Sequence, residues 1–176
     1  KALPQNWLTD VRDGRNRWAE NVIERLNELG FKSGTIGLSG LGGQSRTPDG
    51  VIPQRMYEQI AKAFPNATLA DATDVIQDLR TIKSPEELAV LEYAASITDK
   101  MVDAMAGAAR PGTTERSVHA AIMHAMLSNG GELPSLFIFG SGPGLETGHG
   151  SFVPTDRVLC EGDLLVNELE ARVAGY

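Results

Sequence analysis

The sequence is poor in cysteine and in long apolar runs, and each shortage excludes a class of protein. The single cysteine, Cys160, excludes an internal disulfide framework and any zinc site built from cysteines. No apolar run approaches the roughly 18–20 residues that cross a bilayer, and the first residues lack the apolar core of a signal peptide. We therefore expect a cytoplasmic protein without a membrane partner, with Cys160 packed beside Val158 and Leu159.

Positive charge is also scarce. The sequence has 16 Lys and Arg against 23 Asp and Glu, which gives a formal net charge of −7. Binding to nucleic acid needs a basic patch, and here the basic residues are scattered along the chain. We expect no nucleic-acid partner. With 41% hydrophobic and 22% charged residues over 176 positions, the composition is that of a globular protein with one good core or two small ones.

The first half of the sequence alternates between helical and strand patterns. The spacing of apolar residues and the positions of Gly30, Pro53 and Pro65 predict, in chain order, a helix over 16–29, a strand over 35–38, a helix over 53–64, a strand over 67–70 and a helix over 73–79. This alternation indicates a small α/β domain. Gly40-Leu41-Gly42-Gly43 has the glycines of a phosphate-binding loop but neither of its full patterns, so we expect a turn there.

The second half begins with a strong helix-start signal at Ser84-Pro85-Glu86-Glu87. Ser84 can cap the helix, Pro85 suits its first position, and Glu87 can close a capping box. We expect this helix to run to about Ala109 and a second helix to start at Thr113 or Thr114 and end near Asn129. Its two histidines, His119 and His124, lie five residues apart and so off a shared face, which predicts structural or exposed roles rather than metal binding.

A short apolar run, Leu136–Phe139, predicts a buried strand followed by a turn at Gly140-Ser141-Gly142-Pro143-Gly144. The glycines adjoin Ser141 directly, which does not fit the pattern around a nucleophilic serine. His149 follows in a polar loop between two strands, where catalytic residues concentrate. An isolated loop histidine can equally be incidental.

Residues 164–173 predict the last strand, after a turn signal at Gly162-Asp163. Alternation places Val166, Glu168, Glu170 and Arg172 on one face and Leu165, Asn167, Leu169, Ala171 and Val173 on the other. The charged face has two interpretations. It is either a solvated surface with charges paired across strands, or a polar cleft in which a carboxylate binds a metal or moves a proton. The sequence starts without Met and stops at Tyr176 just after this strand, so we expect a fragment of a longer polypeptide.

Several segments occur in the order found in a known family. They are Leu79-Arg80-Thr81-Ile82-Lys83-Ser84-Pro85-Glu86-Glu87, Arg110-Pro111-Gly112-Thr113-Thr114-Glu115, Gly140-Ser141-Gly142-Pro143 before a loop histidine, Gly162-Asp163, and Gly175-Tyr176. The sequence resembles the creatinase, aminopeptidase P and prolidase family, closely over residues 80–176 and loosely over 17–79. The resemblance implies a partial α/β N-terminal domain over residues 1–79, followed over 80–176 by the first part of an α+β pita-bread catalytic domain.

The resemblance also implies a hydrolase of C–N bonds that commonly dimerises. His149 falls where the family has a histidine that contacts substrate and assists proton transfer. Glu168 falls where the metallopeptidases have the first aspartate ligand of a two-metal centre, with the other ligands after Tyr176. Glutamate there, and Glu170 in place of a small residue, depart from the family pattern. We assign no metal ligand firmly, and expect manganese or zinc only as a cofactor of the full-length protein.

Three hypotheses follow for the longer protein. The first is an Xaa-Pro aminopeptidase or prolidase in which metal-activated water attacks a carbonyl, with His149 handling protons and Glu168 as ligand or base. The second is a metal-independent, creatinase-like hydrolase of a small nitrogenous metabolite, with His149 as base and Glu168, Glu170 or Arg172 holding a charged substrate. The third is a non-catalytic module that keeps the fold.

Overall fold

The computed structural model describes residues 10–43, 47–134, 136–144 and 153–176, and the statements below refer to these residues. They contain five helices and four strands. In chain order these are α1 (Trp18–Glu28), β1 (Gly34–Leu38), α2 (Gln54–Ala63), β2 (Ala67–Asp71), α3 (Thr73–Thr81), α4 (Pro85–Ala108), α5 (Glu115–Ser128), β3 (Ile138–Gly142) and β4 (Leu164–Glu168). The chain forms two compact units, one ending at Ile82 and the other spanning Lys83–Tyr176.

The first unit contains two parallel strands and the helices that cover them. β1 pairs with β2 in a register that runs from Gly34 opposite Ala67 to Leu38 opposite Asp71. Parallel strands need a crossover connection, and α2 supplies it. Leu38, Ile60 and Phe64 form the buried core, against which the apolar side of α1 packs. The predicted helices and strands of this half are confirmed, and their ends shift by at most two residues.

The glycine-rich segment after β1 is a turn, as predicted. The Gly40 N–H donates to the Thr73 hydroxyl at 2.9 Å, and that hydroxyl donates to the Asp71 carboxylate. A side chain at Gly42 would put its Cβ 2.1 Å from an Asp71 oxygen and would force that carboxylate to move. The hydrogen bonds from Thr73, and one from Gly42, lower the pKa of Asp71. The turn therefore surrounds the protein's own carboxylate, which would repel a phosphate.

The second unit packs two helices against an antiparallel pair of strands. α4 and α5 lie side by side, and β3 pairs with β4. The buried core between them consists of Ile97, Met101, Val118, Ile122, Met126, Phe139 and Leu159. Among the described residues no helix, including the 24-residue α4, is both long and apolar enough to cross a membrane.

The start of α4 has the predicted capping box. The Ser84 hydroxyl accepts the Glu87 N–H at 3.2 Å, and the Glu87 carboxylate accepts the Ser84 N–H at 2.7 Å. Pro85 occupies the first helical position, where no N–H is needed. Two N–H donors at the helix start thus have acceptors, and proline removes the need for a third.

Replacing Ser84 with alanine should lower the free energy of unfolding by about 1 kcal/mol, because the Glu87 N–H loses its acceptor. Ser96→Ala on the same helix is the matched control. The exposed Ser96 hydroxyl donates to the Tyr93 carbonyl at 2.7 Å, and alanine is the better helix former at that position. Urea denaturation followed by far-UV circular dichroism measures both variants. Equal losses at Ser84 and Ser96 would contradict the capping role.

The predicted turn at Gly140–Gly144 is wrong in its first three residues, because β3 runs through them. Gly140, Ser141 and Gly142 pair with Val166, Leu165 and Leu164 of β4. The predicted strand over 136–139 is correct only for its last two residues. Glycine weakens a strand, but here the pairing with β4 and hydrogen bonds to Ser141 outweigh that preference.

The last strand is shorter than predicted, since β4 ends at Glu168 rather than at residue 173. Its partner β3 begins at Ile138, opposite Glu168, so no neighbouring strand continues beyond that point. An isolated bridge joins Arg172 to Glu132, and Ala174 and Gly175 then turn the chain at positive φ. The predicted alternation nevertheless holds on the apolar side, because Leu165, Leu169, Ala171 and Val173 all pack against the core.

The prediction that Cys160 is packed is wrong, since Cys160 is an exposed free cysteine. Its neighbour Leu159 is 5% exposed and belongs to the core, whereas Val158 is 50% exposed. The extended segment alternates, so Leu159 points inward and the residues on either side point outward.

Candidate active site

Glu168 is the last residue of β4 and lies opposite Ile138 of β3. Its side chain is exposed. Since Leu165 packs against the helical core and successive side chains alternate, Glu168 and Val166 lie on the opposite face of the sheet. The carboxylate therefore stands at a strand end, outside the core, where it is free of the desolvation cost that a buried charge would carry.

Glu170 and Arg172 line a cleft of about 340 Å³ between α4 and the segment after β4. Thr98 of α4 lies in the same cleft, and its hydroxyl accepts the Ala171 N–H at 3.3 Å. Arg172 also lies 3.8 Å from the Glu132 carboxylate, with both side chains about half exposed. Among the described residues Glu168 does not line this cleft. The structure thus places Glu170 and Arg172 together, after the end of β4, and places Glu168 apart from them as the last residue of that strand.

His149 lies outside the described residues. The stretch 145–152 that contains it follows β3 and precedes the described segment that begins at Val153. Ser141 of β3 precedes this stretch and Thr155 follows it. Both bond to the same buried side chain.

That side chain is Glu115, the first residue of α5, which is 3% exposed. One carboxylate oxygen accepts the Ser141 N–H at 2.8 Å and the Ser141 hydroxyl at 2.7 Å. The other accepts the Thr155 N–H at 3.0 Å and the Thr155 hydroxyl at 2.5 Å. Four donors on one carboxylate offset the cost of burying its charge.

Arg157 extends this network to the turn before β4. Its guanidinium donates to the Ser141 hydroxyl at 2.6 Å and makes a two-pronged ion pair with Asp163 at 2.7 and 2.8 Å. Asp163 also accepts the Cys160 N–H at 2.7 Å. The hydrogen bonds from Arg157 and Cys160 lower the pKa of Asp163. The network of Glu115, Ser141, Thr155, Arg157 and Asp163 therefore joins the start of α5, β3 and the start of β4.

The network predicts an acid-sensitive contribution to stability. Burial raises the pKa of Glu115, but the hydrogen bonds from Thr155 and Ser141 outweigh it and leave the pKa below its ordinary value of 4.5. A carboxyl whose folded pKa is depressed stabilises the fold above its unfolded pKa, and this stabilisation is lost as the pH falls through the folded value. Between about pH 5 and pH 3, the wild type should therefore lose stability more steeply than Glu115→Gln.

Urea midpoints measured at intervals across this range test the prediction. Glu161→Gln, an exposed glutamate in the turn before β4, is the matched control and should follow the wild type. Parallel curves for the wild type and Glu115→Gln would show that Glu115 is not the group responsible.

Sequence reasoning did not identify the network. Glu115 occurs in the segment Arg110-Pro111-Gly112-Thr113-Thr114-Glu115, but an acidic residue in the first turn of a helix is common because it suits the helix dipole. The local signal in the sequence is a helix-capping threonine, Thr114, directly before this glutamate. That signal alone does not predict burial.

Comparison with known proteins places the chain in a family. Residues 89–176, half of the chain, match the model described as Metallopeptidase family M24. The chain belongs to this family. It is 35% identical over 156 residues to an Xaa-Pro dipeptidase of Pyrococcus horikoshii, covering 88% of this chain and 42% of that protein. It is 30% identical over 169 residues to a creatinase of Bacillus sp. strain B-0618, covering 92% and 38%.

A solved structure, a prolidase from Pyrococcus furiosus, superposes with a TM-score of 0.67 at 31% identity, over 87% of this M24 chain and 41% of the prolidase. The likeness confirms the predicted fold class, an α/β N-terminal part followed by the first part of a pita-bread domain. The chain spans about 42% of the length of the curated Xaa-Pro dipeptidase it matches.

Membership of a metallopeptidase family implies a divalent metal, so we asked whether the described residues form a site. No group of three His, Cys, Asp or Glu comes together among them. On α5, the His119 ring packs edge to face on Phe137 at 4.6 Å, and His124 is exposed, as predicted. The described part of this M24 chain therefore does not form a metal site by itself.

Proposed function

We propose that the protein containing this chain is a hydrolase of C–N bonds, and specifically a peptidase that cleaves before proline in Xaa-Pro substrates. The observation that carries the proposal is the 35% identity over 88% of this chain to an Xaa-Pro dipeptidase, together with the M24 match. The likeness to a solved prolidase supports it.

The proposed roles of the residues follow from their positions. Glu168 stands exposed at a strand end, on the face away from the core, where a substrate can reach its carboxylate. His149 is proposed as the group that transfers protons, since it occupies a polar stretch between two strands. Glu170 is proposed to bind substrate from the cleft beside α4.

A divalent metal, manganese or zinc, is part of this proposal for the full-length protein. Glu168 would be one ligand, in the position where the family has aspartate, and the remaining ligands would come from outside this sequence. Metal content of the purified full-length protein tests this part directly.

A second candidate is a metal-independent, creatinase-like hydrolase of a small nitrogenous metabolite. It is favoured by the 30% identity to a creatinase over 92% of this chain, and by Glu168 and Glu170 in place of the family's usual residues. Glu170 and Arg172, which line the same cleft, suit a small substrate that carries both charges.

One assay separates the two candidates. The full-length protein is incubated with Ala-Pro, with Ala-Ala as the matched control, and with a small amidino compound, before and after treatment with a chelator. Cleavage of Ala-Pro alone that is lost with the metal supports the peptidase. Hydrolysis of the amidino compound that survives chelation supports the second candidate. A protein that cleaves none of the three would instead be a non-catalytic module. His149→Ala should then leave its affinity for a ligand or partner unchanged.

Two further properties belong to the proposal. We propose a homodimer, as the family resemblance implies, and a cytoplasmic location, as the single cysteine of the sequence favours. Analytical ultracentrifugation of the full-length protein tests the first. Cell fractionation tests the second.

A further inference from the structure

The charge state of Glu115 decides what its network does. Each oxygen of the carboxylate accepts two hydrogen bonds. Two of the four donors are backbone N–H groups, which cannot accept a hydrogen bond in return. A protonated Glu115 would place a hydrogen against one of these donors. The site is therefore formed for the anion, and the two hydroxyl groups must both point their hydrogens at it.

The two hydroxyl groups are also oriented from the other side. The Ser141 hydroxyl accepts from the Arg157 guanidinium at 2.6 Å, and the Thr155 hydroxyl accepts from the Arg157 N–H at 3.2 Å. Each hydroxyl thus donates to Glu115 and accepts from Arg157. Ser141 and Thr155 are held between one anion and one cationic residue, which fixes their rotamers and their separation.

The backbone on the Thr155 side has a second attachment that does not use the Glu115 carboxylate. The segment from Thr155 to Leu159 makes four backbone hydrogen bonds, of 2.8 to 3.2 Å, to the segment from Gly112 to Arg116. On the other side, β3 is held by its pairing with β4. Removing the Glu115 charge therefore leaves both segments attached to the fold. What it removes is the carboxylate that accepts from both Ser141 and Thr155, whereas the hydrogen bonds from Arg157 to the two hydroxyl groups remain.

Ser141 and Thr155 stand on the two sides of the stretch 145–152, which carries His149. We infer that Glu115 is a positioning residue, whose carboxylate fixes Ser141 to Thr155 and so sets the two ends of the stretch that carries His149. The same network reaches β4 through Arg157 and Asp163, and β4 carries Glu168. Through these residues Glu115 would act on the two proposed catalytic residues, His149 and Glu168, and to that extent the inference rests on the proposed function.

A double-mutant cycle in the full-length protein tests the inference with Ala-Pro as substrate. Glu115→Gln should lower kcat by about 10²-fold while KM changes by less than about threefold, since a misplaced catalytic group affects the reaction more than binding. In a His149→Ala background, the same change should lower kcat by less than about threefold, because the group it positions is already absent.

Asp156→Asn is the matched control, since it removes the same charge from an exposed carboxylate bonded to Arg116 at 2.8 Å. It should leave kcat within about twofold of wild type. An equal loss of kcat from Glu115→Gln in both backgrounds would overturn the inference, because Glu115 would then act independently of His149. Unchanged kcat in the single variant would overturn it as well. If Glu115→Gln fails to fold, Thr155→Val, which removes one hydroxyl, takes its place in the cycle with an expected loss of about tenfold.

Hydrogen exchange of the Ser141 and Thr155 amides provides a measurement that does not need activity. Both N–H groups donate to Glu115, so both should exchange faster in Glu115→Gln, while amides in the middle of α4 should not change. Failure of the wild type to cleave Ala-Pro would defeat the proposed function and leave this measurement intact. Unchanged exchange at Ser141 and Thr155 would defeat the inference even in an active enzyme.

Discussion

Replacing Glu168 with alanine should lower kcat/KM of the full-length protein for Ala-Pro by about 10³-fold, in the range found when a general base or charged catalytic group is removed. The reason lies in its position. Glu168 ends β4 on the face away from the core, so its carboxylate has no packing role to lose. A large loss of activity with little loss of stability is the signature expected of a residue that acts on substrate.

The control for this prediction is Glu161→Ala. Glu161 is an exposed glutamate in the turn that precedes β4, and its replacement should leave kcat/KM within about twofold of wild type. Metal content of Glu168→Ala then separates the two roles proposed for the carboxylate. If Glu168 is a metal ligand, the purified variant should contain less manganese or zinc than wild type. If Glu168 is a base, the metal content should not change. An active Glu168→Ala enzyme would remove Glu168 from the site altogether.

The elements that could be predicted from the sequence are those whose signals are local. The capping box at Ser84 and Glu87 involves residues three apart, and the structure confirms it. The apolar spacing of α1, α2 and α5 predicts a buried side, and Val22, Ile60 and Ile122 pack in or against the cores as expected. Trp18, Leu29 and Tyr57 belong to the same apolar pattern but are exposed. For such elements the interactions that decide the conformation lie within one or two turns of the chain.

Errors occurred where the deciding interaction is distant in sequence. β4 ends at Glu168 because its partner β3 begins at Ile138, which pairs with Glu168. Ile138 lies 30 residues earlier in the sequence. The extension of β3 through Gly140–Gly142 depends on the same partner. A strand's length is set by its neighbour, and that neighbour cannot be read from the strand's own residues.

The Glu115 network shows the same limit for the site. Glu115 is 26 residues from Ser141 and 40 from Thr155, so no local pattern links the three. Composition argues against such an arrangement, since glutamate is rarely buried unless paired. Its burial becomes favourable only when four donors converge on it, and that convergence is a property of the fold. Glu168, by contrast, was predicted from the order of several segments along the chain.

The core of the second unit gives the largest expected effect on stability. Ile122 of α5 is completely buried, among Met101, Val118 and Phe139. Ile122→Ala should lower the free energy of unfolding by about 3 kcal/mol, because it removes apolar contacts and leaves a cavity between the helices and the sheet. Urea denaturation followed by far-UV circular dichroism measures the change, since α4 and α5 contribute most of the helix in this unit.

Leu127→Ala is the matched control on the same helix. Leu127 is 52% exposed, so its truncation should cost less than about 1 kcal/mol. Tryptophan fluorescence would be the wrong measurement, because Trp7 and Trp18 both precede Lys83, where the second unit begins. Equal losses from Ile122→Ala and Leu127→Ala would mean that the surroundings of Ile122 collapse into the space it leaves. The seven residues of this core would then not pack as a single rigid cluster, and the sheet that carries Glu168 would lack the fixed support on which its proposed role depends.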